Sequence, residues 1–343
     1  MRRLLNTLFV TTQGAYLSRE GDTVLVRVEQ ETKLRVPVLT LGGIVCFGQV
    51  MCSPPLLGLC GEKGVTVTFL SEQGRFLARV EGPVSGNVLL RRAQYRLADD
   101  AATCGEVVRA IVAAKIANCR TVLLRAARES EPGVAADEMG GAAQHLAALL
   151  KTLQRQTDVD VIRGIEGDAA RAYFDVFDHL ILAQKNEFVF TGRSRRPPLD
   201  NVNALLSFIY TLLTHDMRGA LETVGLDPAV GFLHRDRPGR PGLALDLIEE
   251  LRPVLADRLV LSLINRAQVK GKGFQQTETG AVTMDEETRK EVLIAYQKRK
   301  QEDIQHPFLG EKIPLGMLPY VQALLMARQL RRDIDGYPPY LWK

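Results

Sequence analysis

Residues 233 to 253 read LHRDRPGRPGLALDLIEELRP. An imidazole at His234 is followed by a loop dense in arginine, proline and glycine, and then by carboxylates at Asp246, Glu249 and Glu250. On a helix opening at Gly242, the three carboxylates can project from one side while Leu243, Leu247 and Leu251 form an apolar stripe. Like charges at that spacing repel by ~0.2–0.5 kcal/mol per pair, so a metal ion, an arginine or water must offset them. The chemistry available to such a set is a divalent cation held against a phosphate, with the rigid loop returning the imidazole toward the acids.

A second acidic candidate lies in DVDVIRGIEGDAARAYFDVFDHL, where Arg163, Glu166, Ala170 and Tyr173 fall on one helix face. Gly164 and Gly167 flank Glu166, each at a cost of about 1 kcal/mol to a helix relative to alanine. Close approach of another backbone or of a ligand would explain both. A third group is basic: Arg193, Arg195 and Arg196 precede a helix, Arg235, Arg237 and Arg240 surround His234, and VKGKGF carries Lys270 and Lys272. Guanidinium groups in Gly/Pro loops near helix N-termini suit phosphate.

Each feature also has an ordinary reading. The acidic residues fit a solvated face paired to Arg252 or Arg258, His234 a hydrogen-bonded loop residue, Glu166 an exposed helix position, and the arginines a solubility device. The spacing matches no zinc signature such as HExxH. His145, His179, His215 and His306 have no comparable acidic partners along the chain and stay with the ordinary reading.

The elements that must position these residues follow from pattern. Up to about residue 90, short β-branched and aromatic runs (NTLFVTTQGAYLS, DTVLVRVEQ, LGGIVCFGQ, GVTVTFLS, GRFLARVEG) are punctuated by Gln13-Gly14, Gly21-Asp22 and Gln73-Gly74. Within them SPPLLGLCGEKG offers Ser53 as an N-cap and Pro54 in the first turn of a short helix. Beyond EGPVSGN the period moves toward 3.6, predicting helices over about 86–98, 103–126, 137–154, 158–183, 199–224, 242–266, 285–303 and 314–333. A small hairpin is expected around Thr279-Gly280, and GYPPYLWK is expected as an extended tail. The fold class is therefore α+β and multidomain: a small β-sandwich-like domain over residues 1–90, then a larger all-α domain over residues 91–343.

Composition limits the function classes. A chain of 343 residues with 46% hydrophobic and 24% charged residues is an ordinary globular protein, and no apolar run approaches a bilayer span. Five cysteines without a CxxC pair indicate neither a disulfide framework nor a zinc ribbon, and suit the cytoplasm. A net charge of +4 is only mildly basic.

Several segments together resemble the CRISPR-associated endonuclease/integrase family, the catalytic protein of spacer acquisition: the opening NTLFVTTQGAYLS, GIEGDAARAYF, RRPPLDNVNALLSFIYTLL, VGFLHRDRPGRPGLALDLIEELRP and the closing YPPYLWK. The resemblance implies a β domain followed by a helical catalytic domain, with metal ligands at Glu166, His234 and Glu249; Asp246 could share or replace a contact, or support a ligand from behind. Two carboxylates and one imidazole suit Mn²⁺ and tolerate Mg²⁺. The implied activity is insertion of short foreign DNA into a CRISPR array by attack of a DNA 3'-hydroxyl, with hydrolysis when water replaces the hydroxyl. A plain metal-dependent nuclease and a noncatalytic DNA-binding scaffold are the alternatives. Arg163 and Tyr173 are expected to orient DNA or the ligand shell, and Arg193, Arg195, Arg196, Lys270 and Lys272 to contact phosphate. The implied partners are a prespacer duplex and the CRISPR repeat, a second copy paired through the β domain, a small ferredoxin-like protein completing a heterohexamer, and an iron-sulfur end-processing nuclease.

Overall fold

The computed structural model of the chain describes residues 6–72, 76–80, 82 and 88–342, which fall into two compact units, Met1–Gly86 and Asn87–Lys343. The first unit runs β1 (Asn6–Val10), β2 (Tyr16–Glu20), β3 (Thr23–Val28), β4 (Glu31–Pro37), β5 (Leu41–Phe47), β6 (Met51–Cys52), α1 (Pro54–Glu62), β7 (Thr66–Leu70) and β8 (Phe76–Val80). One sheet has the order β1-β5-β7-β8, parallel except for β7 and β8; the other has the order β4-β3-β2-β6, antiparallel except for β2 and β6. Leu17 and Val24 of one sheet share a buried core with Ile44 and Val67 of the other and with Leu56 of α1.

Three local outcomes differ from the sequence pattern or extend it. The reversal expected at Gln13-Gly14 divides NTLFVTTQGAYLS: the chain turns through Gly14, at φ 72°, and β1 and β2 enter different sheets. β4 escapes the sequence pattern because its residues, ETKLRVP, are almost all exposed and show no apolar alternation. Ser53 does cap α1, its hydroxyl accepting the Leu56 N–H at 3.4 Å. The expected reversal at Gln73-Gly74 lies outside the described residues.

The second unit contains α2 (Val88–Asp99), α3 (Ala101–Glu129), α4 (Val134–Leu153), α5 (Val159–Asp175), α6 (Asn201–Val224), α7 (Gly242–Glu249), α8 (Arg258–Asn265), α9 (Glu286–Gln301) and α10 (Leu318–Leu330). Side-chain caps open many of them: Asp100, Asp158, Asp200 and Asp285 each accept backbone N–H groups at a helix start. The unit is not purely helical. β9 (Phe274–Gln276) and β10 (Val282–Met284) form the expected hairpin, while β11 (Asp303–Gln305) and β12 (Lys312–Pro314) form a second one.

Two predicted helices are shorter than their periodicity. The run 158–183 leaves α geometry after Asp175 and tightens into a 3-10 turn at Phe177–Leu180, where Tyr173, Phe174, Phe177 and Phe190 stack. The run 242–266 is divided by a π-helical turn at Arg252–Asp257. Pro253 has no N–H for the ladder, so the turn widens there and α8 begins afresh.

Candidate active site

The segment between α6 and α7 carries His234, and most of it is tied down from below. α6 ends at Gly225, whose φ of 87° is left-handed. Gln94 of α2, fully buried, donates to the carbonyls of Asp227 (2.7 Å) and Val230 (2.9 Å) and accepts the Asp227 N–H. Gly231 then crosses Gly242 so closely that a Cβ on Gly231 would stand 2.6 Å from the Gly242 backbone. No larger residue fits there.

That crossing lets Asp246 organise the loop. Its Oδ2 accepts the N–H groups of Phe232 (2.5 Å) and Leu233 (2.9 Å), and its Oδ1 accepts the N–H of His234 (3.0 Å) and meets His234 Nδ1 at 2.6 Å. The carboxylate is fully buried and its oxygens are occupied by the loop, so Asp246 holds His234 in place. A carboxylate only accepts, so Nδ1–H donates to Asp246, and an imidazole in its neutral form then carries its lone pair on Nε2. From α5, Arg163 donates Nη2 to the Leu233 carbonyl at 2.8 Å, and it shares Asp160 with Arg235.

Glu166 on α5 and Glu249 at the end of α7 meet across one ammonium. Lys115 of α3, whose side chain is 9% exposed, contacts Glu166 Oε1 and lies 2.7 Å from Glu249 Oε2. Glu249 Oε1 pairs with Arg252 at 2.6 Å. Oε2 is buried, and the Lys115 ammonium is the charge that faces it. Burial alone would raise Glu249, but Arg252, then Lys115 and His234, bring it down to about 2. Burial would likewise lower Lys115, yet Glu249 and Glu166 hold its ammonium above the ordinary lysine range.

The three acids of α7 do not act as one cluster. Asp246 serves the loop, Glu249 faces Lys115 and Arg252, and Glu250 turns away to accept Tyr337 Oη (2.7 Å), Gln322 Nε2 (2.8 Å) and the Tyr340 N–H (2.9 Å). Burial pushes Glu250 up to about 7. Each charge is compensated separately, which is how the like-charge spacing is tolerated.

Two carboxylates and an imidazole lone pair are the right donor types for a hard divalent ion. As the side chains stand, Lys115 bridges the carboxylates, His234 shares no hydrogen bond or ion pair with them, and no cluster of three or more His, Cys, Asp or Glu among the described residues is arranged to chelate an ion. Glu249 Oε2, faced by the Lys115 ammonium at 2.7 Å, and His234 Nε2 make the donor set compatible with a cation, with Lys115 in the place between the acids.

The remaining sequence candidates divide. Tyr173 is 1% exposed and packed against Phe174 and Phe177, so it is a core residue and not a DNA contact. Arg193 is committed to the Ser194 carbonyl, to Asn203 Oδ1 and to Ser207 Oγ, leaving no free fork for phosphate. Arg195, Arg196, Lys270 and Lys272 are exposed. Glu187 draws their two loops together, its carbonyl accepting Asn201 Nδ2 (2.8 Å) and its carboxylate the Gly271 N–H (2.6 Å). Burial, Arg237 and then Arg195 and Arg196 depress the Arg240 guanidinium, marking a gathering of like charge beside the His234 loop. Gly164 and Gly167 are exposed, and a Cβ on either would meet nothing within 4 Å, so no neighbouring backbone accounts for them. His145 and His179 do find acids, Asp168 at 3.2 Å and Glu138 at 2.5 Å, as ordinary partly exposed pairs.

Sequence reasoning missed Lys115 and the anchors of the tail, but named Arg252 as a partner of these acids, and it does pair with Glu249. Lys115 carried a readable signal: with Ile111, Val112, Cys119 and Val122 it lies on the buried side of α3, and a buried cation demands partners. Asn118, one turn on, donates to the carbonyls of Glu250 (2.8 Å) and Tyr340 (2.9 Å) and accepts the Trp342 N–H.

Residues 8–298 match the model of the family described as CRISPR associated protein Cas1. A protein of Chlorobaculum tepidum named CRISPR-associated endonuclease Cas1 1 is 57% identical over the whole of both chains. A Geobacter sulfurreducens protein named as a CRISPR-associated exonuclease Cas4/endonuclease Cas1 fusion is 35% identical over 97% of this chain and 60% of its own length. A casposase solved bound to its integration product superposes with a TM-score of 0.83 at 21% identity, covering 99% of this chain and 95% of that one, a likeness of fold. By family model and by full-length identity, this chain belongs to the CRISPR-associated Cas1 family.

Proposed function

We propose that this chain is a divalent-metal-dependent DNA endonuclease and integrase that inserts short foreign DNA into a CRISPR array. The observation that carries the reading is the pairing of Glu166 and Glu249 across one ammonium, next to a histidine whose Nδ1 is fixed by Asp246. The full-length relative named an endonuclease supports it. Glu166 and Glu249 would supply oxygen donors and His234 Nε2 a nitrogen to Mn²⁺ or Mg²⁺. When bound, the cation supplies Lewis-acid polarisation of a phosphodiester and offsets the charge that develops in its displacement.

The protein's own part is placement. Arg195, Arg196, Lys270 and Lys272 hold backbone phosphates, and Arg163 and Asp246 keep the His234 loop in register. In the reaction, a P–O bond forms to an incoming DNA 3'-oxygen as another P–O bond breaks, and the proton passes from the attacking oxygen to the leaving one. Water in place of the 3'-hydroxyl gives cleavage by the same site. The chain would work as a homodimer with a small ferredoxin-like partner in a heterohexamer on a prespacer duplex. The Cas4 fusion among its relatives favours an iron-sulfur end-processing nuclease as a further partner. Five unpaired cysteines suit the cytoplasm, and among the described residues no helix is long and apolar enough to cross a membrane.

The test is half-site integration into a supercoiled plasmid bearing the repeat, with the small partner and Mn²⁺ present. Glu166→Ala, His234→Ala and Glu249→Ala should each abolish joining while retaining duplex binding. Joining by all three variants would leave the chain a DNA-binding scaffold. Consumption of a substrate with blocked 3' ends, without joined product from free ends, would make it a nuclease only.

A further inference from the structure

The carboxylate pair is already neutralised from within the protein. Glu249 has Arg252 on Oε1 and Lys115 by Oε2, and the same Lys115 serves Glu166. Two negative charges therefore face two positive ones. Asp246 stands apart from this pair of acids, its oxygens taken by three backbone N–H groups and by His234 Nδ1. Arg252 and Lys115 have little access to solvent, with side chains 17% and 9% exposed. Water can do little to screen an added dication from them.

We propose that Lys115 is a resident counter-cation that makes divalent-metal uptake depend on nucleic-acid phosphate. The inference rests on the reading of Glu166, His234 and Glu249 as ligands. A dication entering alone must displace an ammonium from both acids and leaves the pocket with excess positive charge. Phosphodiesters entering with it remove that excess, and the displaced Lys115 gains an anionic partner. The gathering of Arg195, Arg196, Arg237 and Arg240 beside the loop strengthens the same requirement, since it too calls for anions before further cations. Site and substrate are then linked reciprocally: whatever factor DNA lends to metal affinity, the metal lends to DNA affinity.

The test follows free Mn²⁺ by electron paramagnetic resonance during titration of the full-length protein, alone and with a duplex carrying 3'-dideoxy ends. Wild type should bind Mn²⁺ at least about tenfold more tightly with duplex than without. Lys115→Gln and Lys115→Met should tighten Mn²⁺ binding by the duplex-free protein and shrink the duplex effect, whereas Lys115→Arg, which keeps the charge, should behave as wild type. Thermal melts establish that each variant is folded. His234→Ala identifies the measured site: if it leaves Mn²⁺ binding intact, the ligand reading itself fails, and this inference with it. If His234→Ala abolishes binding but neutralising Lys115 leaves the duplex-free affinity unchanged or weaker, the ligands stand and the counter-cation role is overturned. Equal wild-type affinity with and without duplex overturns it without recourse to any variant.

Discussion

Asp246 shows how much of the behaviour of His234 is decided by the carboxylate behind its ring. Its carboxylate receives four donors from the 232–234 segment, and one of them is the ring nitrogen that sets the His234 tautomer. In Asp246→Asn the amide can no longer accept at both ends, and its NH₂ faces donors. Mn²⁺ affinity should fall by about 10- to 100-fold, the range for lost outer-shell partners of a metal-binding histidine. Titration calorimetry on the duplex-bound protein would read this, with circular dichroism reporting that the fold persists; an unchanged affinity would mean the imidazole needs no such support. Residue type and resemblance single out Glu166, His234 and Glu249, but for Asp246 they leave a direct and a supporting role equally open. Spacing along α7 treats Asp246, Glu249 and Glu250 as equivalents, and only the path of the 225–241 loop separates them.

A single residue also sets a pH response. Asp257 closes the π-helical turn, 1% exposed, accepting Tyr210 Oη at 2.6 Å. Burial raises it from 3.8 to about 6, against the pull of that hydrogen bond and of Arg252 and Arg193. Its folded value lies above the unfolded one, so the native state keeps the proton longer. Stability from this group is therefore full below about pH 4, falls as pH rises toward about 6 and is flat above, a loss of about 3 kcal/mol. Asp257→Asn does not titrate. Urea unfolding of both proteins from pH 4 to 7 should show the wild type losing stability relative to the variant across that window and not beyond it.

At the scale of elements, the C-terminal tail does more than end the chain. Residues after α10 return to the end of α7 and to α3, where Glu250 and Asn118 receive Tyr337, Tyr340 and Trp342. The Trp342 ring lies between the guanidinium groups of Arg125 on α3 (3.9 Å) and Arg258 on α8 (4.2 Å). Each such contact contributes about 0.5–2 kcal/mol, so Trp342→Ala should destabilise the protein by about 1–4 kcal/mol in denaturant unfolding. A Trp342→Leu variant with undiminished stability would show that the arginines need no aromatic face. The two prolines make the tail's extended form legible, but its anchors are polar groups buried on helices whose apolar period says nothing about them. The same limit applies elsewhere: helices with a clear 3.6 period can be read from the chain, while β4, almost all exposed, and β11, three residues long, cannot. Pro253 is visible, yet its consequence, a widened turn instead of a break, depends on the packing of α8.

Across the whole molecule, net charge is a poor guide to nucleic-acid binding, because +4 is the small difference between 44 cationic and 40 anionic side chains whose placement decides the field. Many of the cations are spent internally: Lys115, Arg163, Arg193, Arg252 and Lys300 all pair with or donate to the protein itself. Among the exposed cations are Arg195, Arg196, Lys270 and Lys272, on two loops far apart in sequence that Glu187 ties to each other. If these contact phosphate, each contact releases close to one counterion, and the logarithm of duplex affinity falls with the logarithm of salt by about 0.9 per contact. Arg195→Ala/Arg196→Ala should therefore reduce the slope by about 2 and weaken binding similarly for unrelated duplex sequences. Arg193→Ala should leave the slope unchanged while lowering stability, because its guanidinium is held between Asn203 and Ser207. Fluorescence anisotropy between 50 and 300 mM salt, roughly the span over which such contacts are titrated away, distinguishes the two. A slope that drops for Arg193→Ala and not for the double variant would place the phosphate path elsewhere on the surface.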